Sequence, residues 1–355
     1  MTKPSPKPSP KPSSKPIARL TTPAEMVASL PLWLGYVPSE SLVVVCCHEP
    51  RGRMGLTMRI DLPEPWDAEG LVDELAARVE DQQATRVLMA IYSEQPDGLE
   101  RAHRRLADGL REAFEHLVVT ELVLVRDGRF WSYLCDDPRC CPPEGTPVDA
   151  GAGAEAVTLL EAELVLEGRA VQPSRDALAQ TLAGPSFLAA QVATQRCEQA
   201  AELLASAWQG VEREDVTLRA LDTWATVVRR WRHQPAELSP HEAAALAVSL
   251  SDTLVRDVLA GCEKADVEPM RTLLAELCRR TPPPWDAAVC TLYGWITYCH
   301  GGGAEVTIAL VRALNSDPGY TMANLLLTAL NGAVPPKQLR SLTVKAAKDA
   351  RRLAG

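Results

Sequence analysis

Three short apolar runs, Leu42–Cys47, Val87–Tyr92 and Leu122–Val125, decide what the first half of this chain can become. Each is continuous rather than alternating and rich in β-branched residues, the pattern of a strand covered on both faces. Helical stripes separate them: Leu71, Val72, Leu75 and Val79 in one gap, Leu99, Leu106, Leu110, Phe114 and Leu117 in the other. Strand, helix, strand, helix, strand predicts a mostly parallel sheet with right-handed crossovers. A hairpin extends it at either end. Gly52 and Gly55 punctuate a turn, after which Leu56, Met58 and Ile60 alternate with Thr57, Arg59 and Asp61 as a half-buried strand that Pro63 ends. Asp127-Gly128 supplies the other turn, into Phe130–Leu134. Ahead of the first run, Thr22 reads as a helix cap, with Pro23 at the first helical position and Glu25 as an early acid, for a short helix to about Leu30.

Beyond Gly145 the strand pattern ceases. A Gly/Ala-rich stretch leads to a helical stripe at Ala156–Leu166 and to Ser174 as the cap of another helix, and Gly184-Pro185 marks a domain boundary. Helical stripes then run through Leu188–Trp208, Val216–Trp231, Ala243–Leu259, Met270–Cys278, Ala287–Tyr298, Val306–Leu314, Met322–Leu330 and Leu339–Leu353. The chain has 355 residues, more than one core of about 250 to 300 residues accommodates. The expected organisation is an α/β domain at 17–185 with hairpin edges, followed by an all-α helix-hairpin domain at 186–355. A Lys/Pro/Ser tail at 1–16 cannot bury a core and should stay disordered. Cys290–Pro318 resembles one tetratricopeptide unit in Gly294, Leu310, Ala313 and Pro318, with Thr297 at a position that pattern fills with an aromatic.

Charge narrows the partners. The net charge is −9, and Lys3, Lys7, Lys11 and Lys15 contribute +4 within the acid-free tail, so the rest of the chain carries −13. A body that acidic repels phosphate backbones, and nucleic acid is disfavoured as a ligand. Lys337, Arg340, Lys345, Lys348, Arg351 and Arg352 make the last stretch basic, most simply as a solvated helix face. No apolar run approaches the roughly 20 residues of a membrane helix. No apolar leader is present either, so a cytoplasmic location is expected and the ten cysteines should be mostly reduced thiols. Gly-x-Gly-x-x-Gly after a strand, the phosphate-loop pattern and the Gly-x-Ser-x-Gly elbow are all missing.

Chemistry concentrates in Cys135-Asp-Asp-Pro-Arg-Cys140-Cys141-Pro-Pro-Glu-Gly145, three thiols in a proline-stiffened loop directly after a strand. Cys135 and Cys140 are close enough in sequence to share a zinc ion, which takes about four N or S ligands. Neighbouring side chains tend to diverge, which makes Cys140 and Cys141 an awkward pair in one site. Further ligands would come from Asp136, Asp137, or Cys46, Cys47 and His48 on a strand nearby. A reversible Cys140–Cys141 disulfide is a second reading, and thiols that only pack inward a third. Arg59 and Asp61 share one face of their strand and are candidate ligand-binding residues, or a structural ion pair. Cys46 and His48 also share a face, as a nucleophile and its base would, although a thiol ending a buried run is more simply core. His103 falls on an apolar stripe, and Trp224, Trp231, Trp285 and Trp295 on helical stripes, all expected as packing residues.

Several segments together resemble an actinobacterial family catalogued as domain of unknown function 4192. They are Leu30-Pro-Leu-Trp-Leu-Gly-Tyr-Val-Pro-Ser-Glu-Ser-Leu-Val43, Arg59-Ile-Asp-Leu-Pro63, Trp131-Ser-Tyr-Leu-Cys135, Cys140-Cys-Pro-Pro-Glu-Gly145, Gly168-Arg-Ala-Val171 with Ser174-Arg175, and Asp317-Pro-Gly-Tyr320. The resemblance implies no activity and carries over no catalytic residue. Two functions stay in view: a non-catalytic binding or regulatory protein whose helical half docks a protein partner, and a metalloprotein or enzyme, with zinc as the metal, centred on the cysteine loop.

Overall fold

The computed structural model describes residues 18–50, 52–62, 68–94, 100–151, 153–166, 168–233, 238–262, 264–299, 302–340, 343–344 and 347. The tail expected to be disordered and the end of the basic terminal stretch lie outside these residues.

Helix α1 (Pro23–Leu34) starts at the predicted cap. The Thr22 hydroxyl accepts the Glu25 N–H at 3.2 Å and the Glu25 carboxylate accepts the Thr22 N–H at 3.2 Å, satisfying donors that a helix start otherwise leaves orphaned. The helix continues through Pro31 to Leu34, past the expected stop near Leu30, and Gly35 ends it in the left-handed conformation at φ +80°.

Six strands follow: β1 (Ser41–His48), β2 (Arg53–Asp61), β3 (Arg86–Tyr92), β4 (Val118–Arg126), β5 (Arg129–Ser132) and β6 (Thr146–Pro147). Helix α2 (Ala68–Asp81) joins β2 to β3, and α3 (Glu100–Ala113) joins β3 to β4. The spatial order is β2-β1-β3-β4-β5-β6. The α/β layout with hairpin edges is therefore present, but the sheet is mixed and not mostly parallel. Among the described residues only β3 and β4 are parallel neighbours in the sheet; β1 runs antiparallel to both β2 and β3, and β5 antiparallel to β4 and β6. The reason is geometric. A strand–helix–strand pattern fixes that β2 and β3 point the same way, and they do. It does not fix what lies between them, and β1 fills that place.

Alternation sorts the side chains. Met58, Val44, Met89 and Leu122 are register partners in one row, packed with Leu75 and Val79 of α2, Leu106 and Leu110 of α3 and Phe114 just beyond it. The opposite face presents Val43, Ala90 and Val123 to Val27 and Leu30 of α1. Both faces are covered, as the continuous apolar runs require. His103 of α3 is fully buried.

Helices α4 (Glu155–Leu166) and α5 (Arg175–Thr181) lead into α6 (Phe187–Gly210), α7 (Arg213–His233), α8 (Pro240–Ser249), α9 (Thr253–Ala260), α10 (Val267–Arg280), α11 (Asp286–Tyr298), α12 (Gly303–Ser316) and α13 (Thr321–Asn331). Ser174 caps α5 as expected, accepting the Ala177 N–H at 3.0 Å. Ala243–Leu259, one stripe in the sequence, is two helices. Asp252 interrupts it, accepting the Leu254 N–H at 3.0 Å as the cap of α9 and the Thr217 hydroxyl of α7 at 2.5 Å. Trp224, Trp231 and Trp295 are core residues here, and Trp285 is half-buried. At Gly294 a Cβ would stand 3.2 Å from Leu310, so its absence lets α11 and α12 pack closely as a hairpin.

Candidate metal centre

The chain leaves the sheet at Ser132 and returns at Thr146, so the cysteine loop is an excursion whose two ends are paired strands. Side chains of β5 pin it. The Trp131 Nε1–H donates to the Pro143 carbonyl at 2.9 Å, and the Arg129 guanidinium donates to the Gly145 carbonyl at 2.8 Å. Gly145 adopts φ +79° beside the Trp131 indole, and a Cβ there would lie 2.6 Å from the ring. Within the loop the Asp137 carbonyl accepts the N–H groups of Cys140 at 3.1 Å and Cys141 at 2.8 Å. The chain thereby curls back over Cys135.

The three thiols meet. Their sulfurs all lie within 4.8 Å of one another, with Cys135 to Cys140 at 3.0 Å and Cys140 to Cys141 at 3.8 Å. The expected divergence of Cys140 and Cys141 does not occur, because both N–H groups wrap around one carbonyl and turn both side chains to the same side. Two sulfurs bonded to one tetrahedral zinc at about 2.3 Å lie about 3.8 Å apart, the scale of this cluster.

The electrostatics are asymmetric. The hydrogen bond from Cys140, helped by the Asp137 backbone and Cys141, holds Cys135 below the ordinary thiol value. The same bond raises Cys140, and burial with both neighbouring thiols pushes Cys141 up to about 12. One thiolate is thus stabilised by two S–H donors. Ionising Cys140 and Cys141 beside it is disfavoured, and a cation among the three sulfurs would offset that.

No fourth protein ligand joins among the described residues. The Asp137 carboxylate is held by the Arg139 guanidinium at 2.6 Å, and Asp136 is exposed. Cys46, Cys47 and His48 stand on β1, with β3 and β4 between them and β5. Cys46 is fully buried and burial pushes its thiol up to about 11, the environment of a packing residue and not of an activated nucleophile.

Arg59 and Asp61 form an ion pair on the α1 face of β2, and Arg59 also donates to the Ser39 carbonyl at 3.3 Å. Arg59 is 15 % exposed and Asp61 77 %, so the pair anchors the loop after α1 to the sheet edge. Among the described residues, the Arg59 Nε and the nearby Ser41 hydroxyl are buried without a hydrogen-bond partner. The sequence reading missed the pinning residues Arg129, Trp131 and Gly145. Their signal was the alternation of Arg129 and Trp131 on one face of a short strand.

In the helical half two adjoining hollows of about 310 and 290 Å³ share Arg256. Leu250, Trp285, Ala288 and Tyr320 line the first; Ala260, Met322 and Leu325 line the second. The Arg256 guanidinium binds Asp257 at 2.7 Å and lies over the Tyr320 ring, 6.0 Å from its centroid.

The chain belongs to the family described as Domain of unknown function (DUF4192), whose model matches residues 23–337 and so spans the sheet, the cysteine loop and the helical half. No significant match to a curated protein or to a solved structure was found. No helix among the described residues is long and apolar enough to cross a membrane.

Proposed function

We propose that this protein is a cytoplasmic metalloprotein that binds zinc through Cys135, Cys140 and Cys141. The observation that carries this reading is the convergence of three sulfurs within 4.8 Å on a loop tied to the sheet at Tyr133 and again at Pro143 and Gly145. Preorganisation matters because most of the entropy of ordering the ligands is then lost on folding and not on metal binding. Three protein ligands leave a fourth position open, the arrangement that lets zinc hold water or a partner's donor atom. Metal analysis of untagged protein, purified without chelator and with its thiols reduced, tests it. The expected content is about one zinc per chain. Cys135→Ser, Cys140→Ser and Cys141→Ser should each abolish it. A wild type that neither carries nor takes up zinc overturns the reading.

The paired hollows around Arg256 favour a second, compatible role for the repeat-like helical half as a docking site for a protein partner. The occupant that fits is an extended peptide with an apolar side chain for the hollow at Trp285 and an acidic one for Arg256. Peptides of that pattern on an array should bind the wild type, and Arg256→Glu should weaken them by about tenfold or more. Equal binding by both proteins removes this role.

A further inference from the structure

We propose that Cys135 and Cys140 form a reversible disulfide that empties the metal site, with a hydroperoxide as oxidant; the emptying rests on the zinc reading, whereas the disulfide does not. The two sulfurs stand 3.0 Å apart, and bonded sulfurs stand about 2.05 Å apart, so an approach of about 1 Å closes the bridge. The turn that brings them together is held by the backbone bonds from Cys140 and Cys141 to Asp137 and by the Arg139 N–H on the Asp137 carboxylate at 3.0 Å. These bonds involve neither thiol's sulfur–sulfur contact, so closing the bridge need not break them. Cys140 is exposed and Cys135 half-buried, which gives a small oxidant access. Cys141 lies 3.8 Å from Cys140, but a bridge between chain neighbours closes a small strained ring, so Cys135 is the favoured partner.

The chemistry balances. One of the two sulfurs attacks an oxygen of the hydroperoxide, the O–O bond breaks, and a sulfenic acid forms as the other oxygen leaves and is protonated. The second sulfur attacks the first, the S–O bond breaks, and hydroxide leaves with the remaining thiol proton as water. Two electrons pass from the thiol pair to the peroxide. In the zinc-loaded form both sulfurs are already thiolates, so the two leaving oxygens take their protons from solvent; the zinc ion loses two of its three thiolates and departs as Zn²⁺, and a dithiol reductant restores the site.

The molecule contains its own control. Cys278 and Cys290 approach at 3.6 Å, similar to the loop thiols, yet both are fully buried. They should stay reduced under the same treatment. The test treats the untagged full chain, metal-stripped and zinc-loaded, with about one equivalent of hydrogen peroxide, followed by alkylation in denaturant and peptide mass spectrometry. The expected result is a Cys135–Cys140 bridge in both forms and in Cys141→Ser, reversed by dithiothreitol, with zinc released in step from the loaded protein. Free Cys135 and Cys140 after the peroxide is consumed, or a bridge between Cys140 and Cys141 or between chains, overturns the proposal. A Cys135–Cys140 bridge in a protein that never binds zinc supports the disulfide and overturns the metal reading alone. Zinc binding without the bridge does the reverse.

Discussion

Ten cysteines of one chemical type divide into different chemistries by where the backbone puts them. Cys46, inside the sheet, has its thiolate disfavoured by burial; Cys135, on an exposed loop, has it favoured by S–H donors. The loop geometry behind that difference depends on a residue with no side chain. Gly145 combines a left-handed φ of +79° with an indole ring 2.6 Å from where a Cβ would sit. An alanine there carries the backbone penalty and must displace Trp131, whose N–H anchors Pro143. Gly145→Ala should therefore destabilise the fold by about 1–3 kcal/mol. It should also lower zinc content without changing a ligand, because the loop is held at Trp131 and the thiols are carried by the loop. Thermal unfolding and metal analysis of the variant check both. A destabilised variant with full zinc content would show that the Asp137 turn alone shapes the site.

At the scale of elements, local signals were legible in the sequence and non-local pairing was not. The caps at Thr22 and Ser174 sit within four residues of what they satisfy, and the strands are short runs whose burial is written in their own composition. The place of β1 between β2 and β3 depends on contacts between residues far apart in sequence, which no local pattern encodes. The same limit explains α8 and α9. An apolar period ran through both, and it was the partners of Asp252, among them Thr217 on a different helix, that made it a cap and a break. In the cysteine loop, sequence spacing put Cys135 and Cys140 within reach of each other, and their sulfurs stand 3.0 Å apart. It could not show that two adjacent side chains turn the same way, because one carbonyl accepting both N–H groups decides that. The two-residue strand β6, which closes the loop against β5, contains Pro147 and has no apolar pattern to announce it.

At the scale of the whole molecule, the two halves meet around one arginine. Arg312 of α12 donates to the carbonyls of Leu182, Cys278 at 2.8 Å and Thr281 at 2.9 Å, and pairs with the buried Asp286 carboxylate at 3.0 Å. Its guanidinium also occupies the space beside Gly184, where a Cβ would fall 2.7 Å away. Leu182 itself packs in the helical core, and Arg279 donates to the Thr181 carbonyl at 3.2 Å, so the end of α5 is tied to the helical half. Arg169 with Glu305 at 3.9 Å, and Arg78 donating to the Asn331 carbonyl at 2.9 Å, add contacts between the halves elsewhere. If Gly184-Pro185 is the boundary of two domains, Arg312 is one of the ties that hold it shut, and the one nearest the boundary itself. Arg312→Ala leaves three carbonyls short of a donor and the Asp286 charge, 3 % exposed, without its partner. Breaking such a pair from one side costs roughly 3–5 kcal/mol, mostly from the uncompensated buried charge. The double variant Arg312→Ala with Asp286→Ala should lose less than the sum of the single losses, since it removes that charge as well. Limited proteolysis reads the other half of the idea. In the wild type the segment around residue 184 should resist cleavage. In Arg312→Ala it should become the first site cut, yielding an α/β piece and a helical piece that stay folded by circular dichroism. Cutting that melts both pieces together would mean that the halves share one cooperative core, and the assignment of two domains would fall.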